Sequence, residues 1–106
     1  MKKITFNWYQ DEVRRLTFVK ASGLPNWVYP AMGLGGETGE VLEEIKKGIR
    51  EGDTILPTDR VAKIRLELGD VLFYTFMLAD SLGFTMEDIA DANIKKLTER
   101  QAKKLG

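Results

Sequence analysis

Leu66-Glu67-Leu68-Gly69-Asp70-Val71-Leu72-Phe73-Tyr74-Thr75-Phe76-Met77-Leu78-Ala79 is the stretch that decides the fold. It is too long for a strand and lacks the alternation of one, so it reads as a helix. Within about Asp59 to Leu82 the first half is amphipathic, and from Leu66 onward the sequence is apolar on nearly every side. A helix of that kind is buried on every side. In a chain of 106 residues the cover expected for it is another subunit. Two acids, Glu67 and Asp70, interrupt this apolar run three residues apart.

Three further helical stretches surround it. The first runs from about Phe6 to Ser22, with Phe6, Tyr9, Val13, Leu16 and Lys20 at three- and four-residue spacing and Asn7 placed to cap it. Gly23-Leu24-Pro25-Asn26 ends it, and Trp27 to Pro30 reads as a connection. The second stretch, about Ala31 to Arg50, carries the stripe Leu34, Val41, Leu42, Ile45 and Ile49. Its glycines at 33, 35, 36 and 39 lower intrinsic helicity by about 1 kcal/mol each relative to Ala, so a close helix or a ligand near the backbone is expected. Residues 51–58 form a loop, and Thr58 or Asp59 is placed to cap the third stretch. Gly83 ends that stretch, and Thr85 caps the fourth with Asp88 in a variant capping box. The fourth, about Met86 to Lys104, places Ile89, Ala90, Asn93, Leu97 and Ala102 on its inner side. The expectation is a single all-α domain over residues 1–106, four-helix bundle-like, oligomerising through the apolar third helix.

Composition narrows the chemistry. Apolar residues are 43% and charged residues 30%, as in ordinary globular chains. Sixteen basic residues balance sixteen acidic ones, which argues against a polymeric nucleic-acid partner or a polybasic membrane binder. There is no cysteine and no histidine, which removes disulfides, thiolate sites, His-ligated zinc and the Ser-His-Asp triad. Any metal must be held by oxygen, which suits Mg²⁺, Mn²⁺ or Ca²⁺. No segment approaches the roughly 20 apolar residues of a membrane span. No apolar run follows Lys2 and Lys3, so no signal peptide is expected and a cytoplasmic location is.

The acids are the informative feature. Glu37 and Glu40 share one face of the second stretch, with Glu44 continuing it and Glu43 alongside. Glu67 and Asp70 repeat the spacing one stretch later, among core residue types. Carboxylates set in an apolar helix are unfavourable unless paired or bound to a metal. Two such pairs on consecutive antiparallel helices can converge, and a divalent cation relieves their mutual repulsion. A lone Glu-x-x-Glu is more often a solvated face, and Glu43 and Glu44, followed by Lys46 and Lys47, fit that reading. The fourth stretch is basic. Asn93, Lys96 and Arg100 share a face, either complementing the helix dipole or neutralising phosphate oxygens. Tyr74 lies one turn after Asp70 and is either a core aromatic or a contact to sugar or base. Trp8, Tyr9, Trp27 and Tyr29 could stack on a base, though such aromatics in small domains are more often core or interface.

Taken in order, Gly36-Glu37-Thr38-Gly39-Glu40-Val41-Leu42-Glu43, Glu67-Leu68-Gly69-Asp70-Val71-Leu72-Phe73 and Ala92-Asn93-Ile94-Lys95-Lys96-Leu97-Thr98-Glu99-Arg100 resemble the MazG-like nucleoside triphosphate pyrophosphohydrolases, within the all-α NTP pyrophosphatases. The resemblance covers roughly Ala31 to Arg100. It implies that Glu37, Glu40, Glu67 and Asp70 are the catalytic, Mg²⁺-binding residues, with Mn²⁺ a possible substitute. It implies that Lys96 and Arg100 contact phosphate, that Asn93 bonds phosphate or sugar, and that Tyr74 touches nucleotide. The implied reaction converts a nucleoside triphosphate to monophosphate and pyrophosphate, as nucleotide-pool house-cleaning, in a homo-oligomeric dimer or tetramer. Two alternatives stand beside it. One is a narrower pyrophosphatase for dUTP, dCTP or phosphoribosyl-ATP. The other is a non-enzymatic helical interaction module with a structural cation.

Overall fold

The computed structural model of the chain describes residues 3–17 and 23–105. It is all-α: α1 is Phe6–Leu16, α2 is Val28–Arg50, α3 is Thr58–Ser81 and α4 is Met86–Leu105, with no strand among the described residues. The first helix, expected to run to Ser22, ends at Leu16, where Thr17 turns extended at φ −83° and ψ 115°; residues 18–22 of that expectation lie outside those described.

α1 is capped by Thr5, not Asn7. The Thr5 hydroxyl accepts the Trp8 N–H at 3.1 Å, which satisfies one of the donors a helix start leaves over. α1 then lays Phe6, Tyr9 and Val13 on α3. The Tyr9 ring meets Phe76 edge-on at 4.6 Å and the Phe6 ring meets it at 5.9 Å. Val13, Phe76, Met77, Ala79 and Met86 are the buried core, with Tyr9, Phe73 and Tyr74 packed on it. The core thus sits at the C-terminal half of α3, between α1 and the start of α4.

α2 begins at Val28, so the Val28–Pro30 segment expected as connection is already helix. Proline is tolerated there because the N–H it lacks belongs to the unpaired first turn. α3 begins at Thr58 with Pro57 before it, and no side-chain cap is present, so neither Thr58 nor Asp59 has the capping role. α2 and α3 end in the same way. At the end of α3 the Phe84 N–H returns to the Ala79 carbonyl at 2.9 Å and the Gly83 N–H to Asp80 at 3.1 Å, with Gly83 at φ +83°. This is the six-to-one closure that a left-handed residue permits. The fourth helix opens on the expected box: Thr85 Oγ1 accepts the Asp88 N–H at 3.1 Å and the Asp88 carboxylate accepts the Thr85 N–H at 3.4 Å.

α2 and α3 form the main antiparallel hairpin, α1 packs on α3, and α4 packs principally on α1. The chain is spread out, with a Cα radius of gyration of 17.1 Å, against about 13 Å for a compact domain of this length. In the single chain the bundle is therefore not closed. The all-round burial expected for α3 is absent here: Leu66, Leu68 and Leu72 are exposed, as are Leu42 and Ile49 of α2. Asn93, Leu97 and Ala102, expected on the inner side of α4, are exposed too, and Met86 is the buried residue of that helix. Among the described residues no helix is long and apolar enough to cross a membrane.

One buried polar side chain anchors α4. Gln10, 3% exposed, donates through Nε2 to the Phe84 carbonyl at 3.0 Å and accepts the Met86 N–H on Oε1 at 3.2 Å. Met86 N–H is a first-turn donor with no partner inside its own helix. Gln10→Ala would leave both backbone groups unpaired, each costing about 1–3 kcal/mol. The expected result is a loss of about 2 kcal/mol or more in urea unfolding, with faster amide exchange at Met86 and little change at α2.

Candidate metal centre

The acids converge. Glu37 of α2 and Glu67 and Asp70 of α3 each bring one carboxylate oxygen to within 4.8 Å of the others. Glu37 and Glu67 are half-buried and Asp70 is exposed. The hairpin explains this: two antiparallel helices place the middle of α2 beside the first half of α3, and the i, i+3 spacing keeps Glu67 and Asp70 on one face. Glu40 lies outside this group of three oxygens, but its charge reaches Glu37.

Crowding shows in the protonation of Glu37. Its pKa is raised, first by desolvation, then by the charges of Asp70, Glu67 and Glu40 and by a hydrogen bond with the Glu67 carboxyl. Among the described residues no ion pair reaches these three carboxylates, and together they are a donor set of hard oxygens, which fits Mg²⁺ or Mn²⁺.

Aromatic residues border the acids. The Tyr74 ring lies over Gly33, where a Cβ would run into it. That close approach accounts for the one glycine of the α2 group that packs within the chain; Gly35, Gly36 and Gly39 face open space. Tyr74 meets Tyr29 with ring centroids 6.2 Å apart. The Tyr74 hydroxyl is pushed up by its hydrogen bond with Tyr29, by burial, and by the charges of Tyr29, Glu37 and Asp70. Tyr9 on α1 is also raised, by burial first and then by Asp70. Tyr74 and Tyr9 are thus both core aromatics and neighbours of the acidic group.

Asn93 and Lys96 lie elsewhere, lining a cavity of about 500 Å³ with Phe84, Asp88, Ile89 and Ala92. Arg100 is exposed one turn further along α4. The cavity does not include the acids, so the structure brings Glu37, Glu67, Asp70 and Tyr74 together and holds Asn93 and Lys96 at a second place. Glu43 behaves as expected, paired with Lys46 at 3.0 Å. Glu44 does not: instead of a solvated face it meets Arg60 of α3 at 3.3 Å, with only 12% of its side chain exposed.

Residues 31–104 match the MazG nucleotide pyrophosphohydrolase domain. The chain belongs to that family. The MazG match takes in the acidic group, Arg60, Tyr74 and the α4 residues, and leaves α1 outside. A relative, the Gene 37 protein of Mycobacterium phage L5, is 34% identical over 73 residues, covering 69% of this chain and 64% of that protein. The chain thus matches less than two thirds of the length of that relative. No solved structure matches the chain.

A pH dependence follows from Glu37. Its pKa in the folded MazG chain lies above the ordinary 4.5, so the folded state holds this proton more tightly than the unfolded state. The associated stability is present below the unfolded pKa and is lost as pH rises through the folded one. In EDTA, Glu37→Gln is expected to be more stable than wild type at pH 7, with the difference closing toward pH 4.5. Urea midpoints across this range check it.

Proposed function

We propose that this MazG chain is a Mg²⁺-dependent hydrolase that converts (deoxy)nucleoside triphosphates to monophosphate and pyrophosphate, acting on the nucleotide pool in the cytoplasm as a homo-oligomer. The observation that carries the reading is the meeting of Glu37, Glu67 and Asp70 oxygens within 4.8 Å in a MazG-family chain. The exposed Leu66, Leu68 and Leu72 support the oligomer, since water-exposed leucines on one helix are a surface that association would cover.

Glu37, Glu67 and Asp70 would hold the cation. When bound, a divalent cation offsets phosphate charge and lowers the pKa of a coordinated water. Glu40 stands one turn beyond Glu37, outside the three-oxygen group, and its carboxylate would orient water or take its proton. Lys96, and Arg100 further along the same face, neutralise phosphate oxygens. The Asn93 amide offers a donor and an acceptor to phosphate or sugar. Tyr74 gives the nucleotide an aromatic contact beside the acids.

The test is purified protein with each NTP and dNTP, with Mg²⁺ and with EDTA. Pyrophosphate release from at least one, abolished by EDTA, is the expected result. Glu67→Gln and Asp70→Asn should each lower kcat by about a hundredfold or more, since metal-borne charge stabilisation is worth several kcal/mol, with helical content unchanged. No release from any nucleotide at micromolar protein would overturn the reading.

A further inference from the structure

Among the described residues Arg60 is the most enclosed cation of any ion pair, with 11% of its side chain exposed. Its guanidinium reaches Glu44 on α2 at 3.3 Å, Asp53 in the turn between α2 and α3 at 3.2 Å, and Glu51 in the same turn. It also donates to the Glu44 carbonyl at 3.2 Å. Room for it comes from Gly48, where a Cβ would lie 3.1 Å from Asp53 Oδ2 and 3.2 Å from Arg60 Cδ. Asp53 is brought there by the end of α2, its N–H returning to the Gly48 carbonyl at 2.8 Å.

The position of this clamp matters more than its strength. Glu44 lies seven residues after Glu37 on α2, and Arg60 lies seven residues before Glu67 on α3. Seven residues are two turns, so each helix presents both members on one stripe. The antiparallel pairing that sets Glu44 against Arg60 is the same pairing that sets Glu37 against Glu67. A slide of one helix along the other would part both contacts together.

We propose that Arg60 is a positioning residue for the acidic centre, fixing the α2–α3 register in which Glu37 meets Glu67 and Asp70. The inference rests on the reading of those three acids as cation ligands. Charge and position predict opposite signs. Seven residues of helix are about 10 Å, so through its charge alone Arg60 disfavours a nearby cation, and its removal would tighten binding slightly. Loss of register spreads the ligands and weakens binding.

The experiment is titration of the full chain with Mn²⁺ alone, followed by electron paramagnetic resonance, at a temperature where circular dichroism shows each variant folded. Arg60→Met is expected to raise the Mn²⁺ Kd by about tenfold or more, the usual scale for groups that orient metal ligands. Arg60→Lys, with one compact ammonium in place of a fork, should fall between wild type and Arg60→Met. Gly48→Ala keeps every charge and favours helix, yet crowds the clamp, and should also weaken binding. If Arg60→Met does not fold, Arg60→Lys and Gly48→Ala carry the test. Equal or tighter binding in folded variants, with wild type binding Mn²⁺, overturns the proposal alone. No Mn²⁺ binding by wild type, or binding unaffected by Glu67→Gln, overturns the cation reading and this inference with it.

Discussion

Glu37, Glu67 and Asp70 repel one another across the line where α2 meets α3, and the hairpin must hold them there with no ion pair to any of them among the described residues. Apolar packing supplies that hold only in part. The buried core lies toward the other end of α3, at Phe76, Met77 and Ala79. Around the acids the hairpin is thinly covered, with Leu66, Leu68 and Leu72 exposed. Two features flank the repulsive centre along the same line. Tyr74 seats on Gly33 to one side, and Arg60 ties Glu44, Glu51 and Asp53 on the other. Close packing and ion pairing thus bracket the place where like charges are pressed together.

How much of this was legible in the sequence depends on the range of the interaction. The helices were legible because their signals are local: the apolar run of α3, the Gly83 stop and the Thr85–Asp88 box each act within a few residues. The acidic pairs were legible because charge in an apolar run is a conflict visible without a structure. Boundaries set by competition between near-equal caps were not, as with Thr5 over Asn7. Glu44 departs from the solvated face its sequence suggests for a clearer reason. Lysines follow it in sequence, and local pairing accounted for it, whereas its partner Arg60 lies sixteen residues away on another helix. The signal that could have found Arg60 was the seven-residue offset common to Glu37–Glu44 and Arg60–Glu67, which on consecutive antiparallel helices sets Arg60 against Glu44 whenever Glu67 meets Glu37.

The open form of the chain has the same origin. α3 has more apolar faces than the neighbours within one chain can cover. Folding α2 and α1 against it leaves Leu66, Leu68 and Leu72 in water, and α4 does not fold over them, because its start is drawn to α1 by Gln10. A glutamine buried with both ends of its amide satisfied is a directional constraint that leucine packing lacks. It settles where α4 begins, and it thereby settles where the cavity of Phe84, Asn93 and Lys96 stands.

The acidic group and the Asn93–Lys96 cavity are therefore held by different means: the first by the α2–α3 register, the second by the α1–α4 junction. Their supports share no residue. Gln10 touches Phe84 and Met86, while Arg60 touches Glu44, Glu51 and Asp53. Substitutions at sites well separated in space and without common partners act independently on stability. A ligand that engages cations on α4 and acids on α2 and α3 makes the two supports interdependent, because binding then requires both geometries at once. The apolar core joins the C-terminal half of α3 to the start of α4 through Phe76, Met77, Ala79 and Met86, and such a ligand would add a second tie between them.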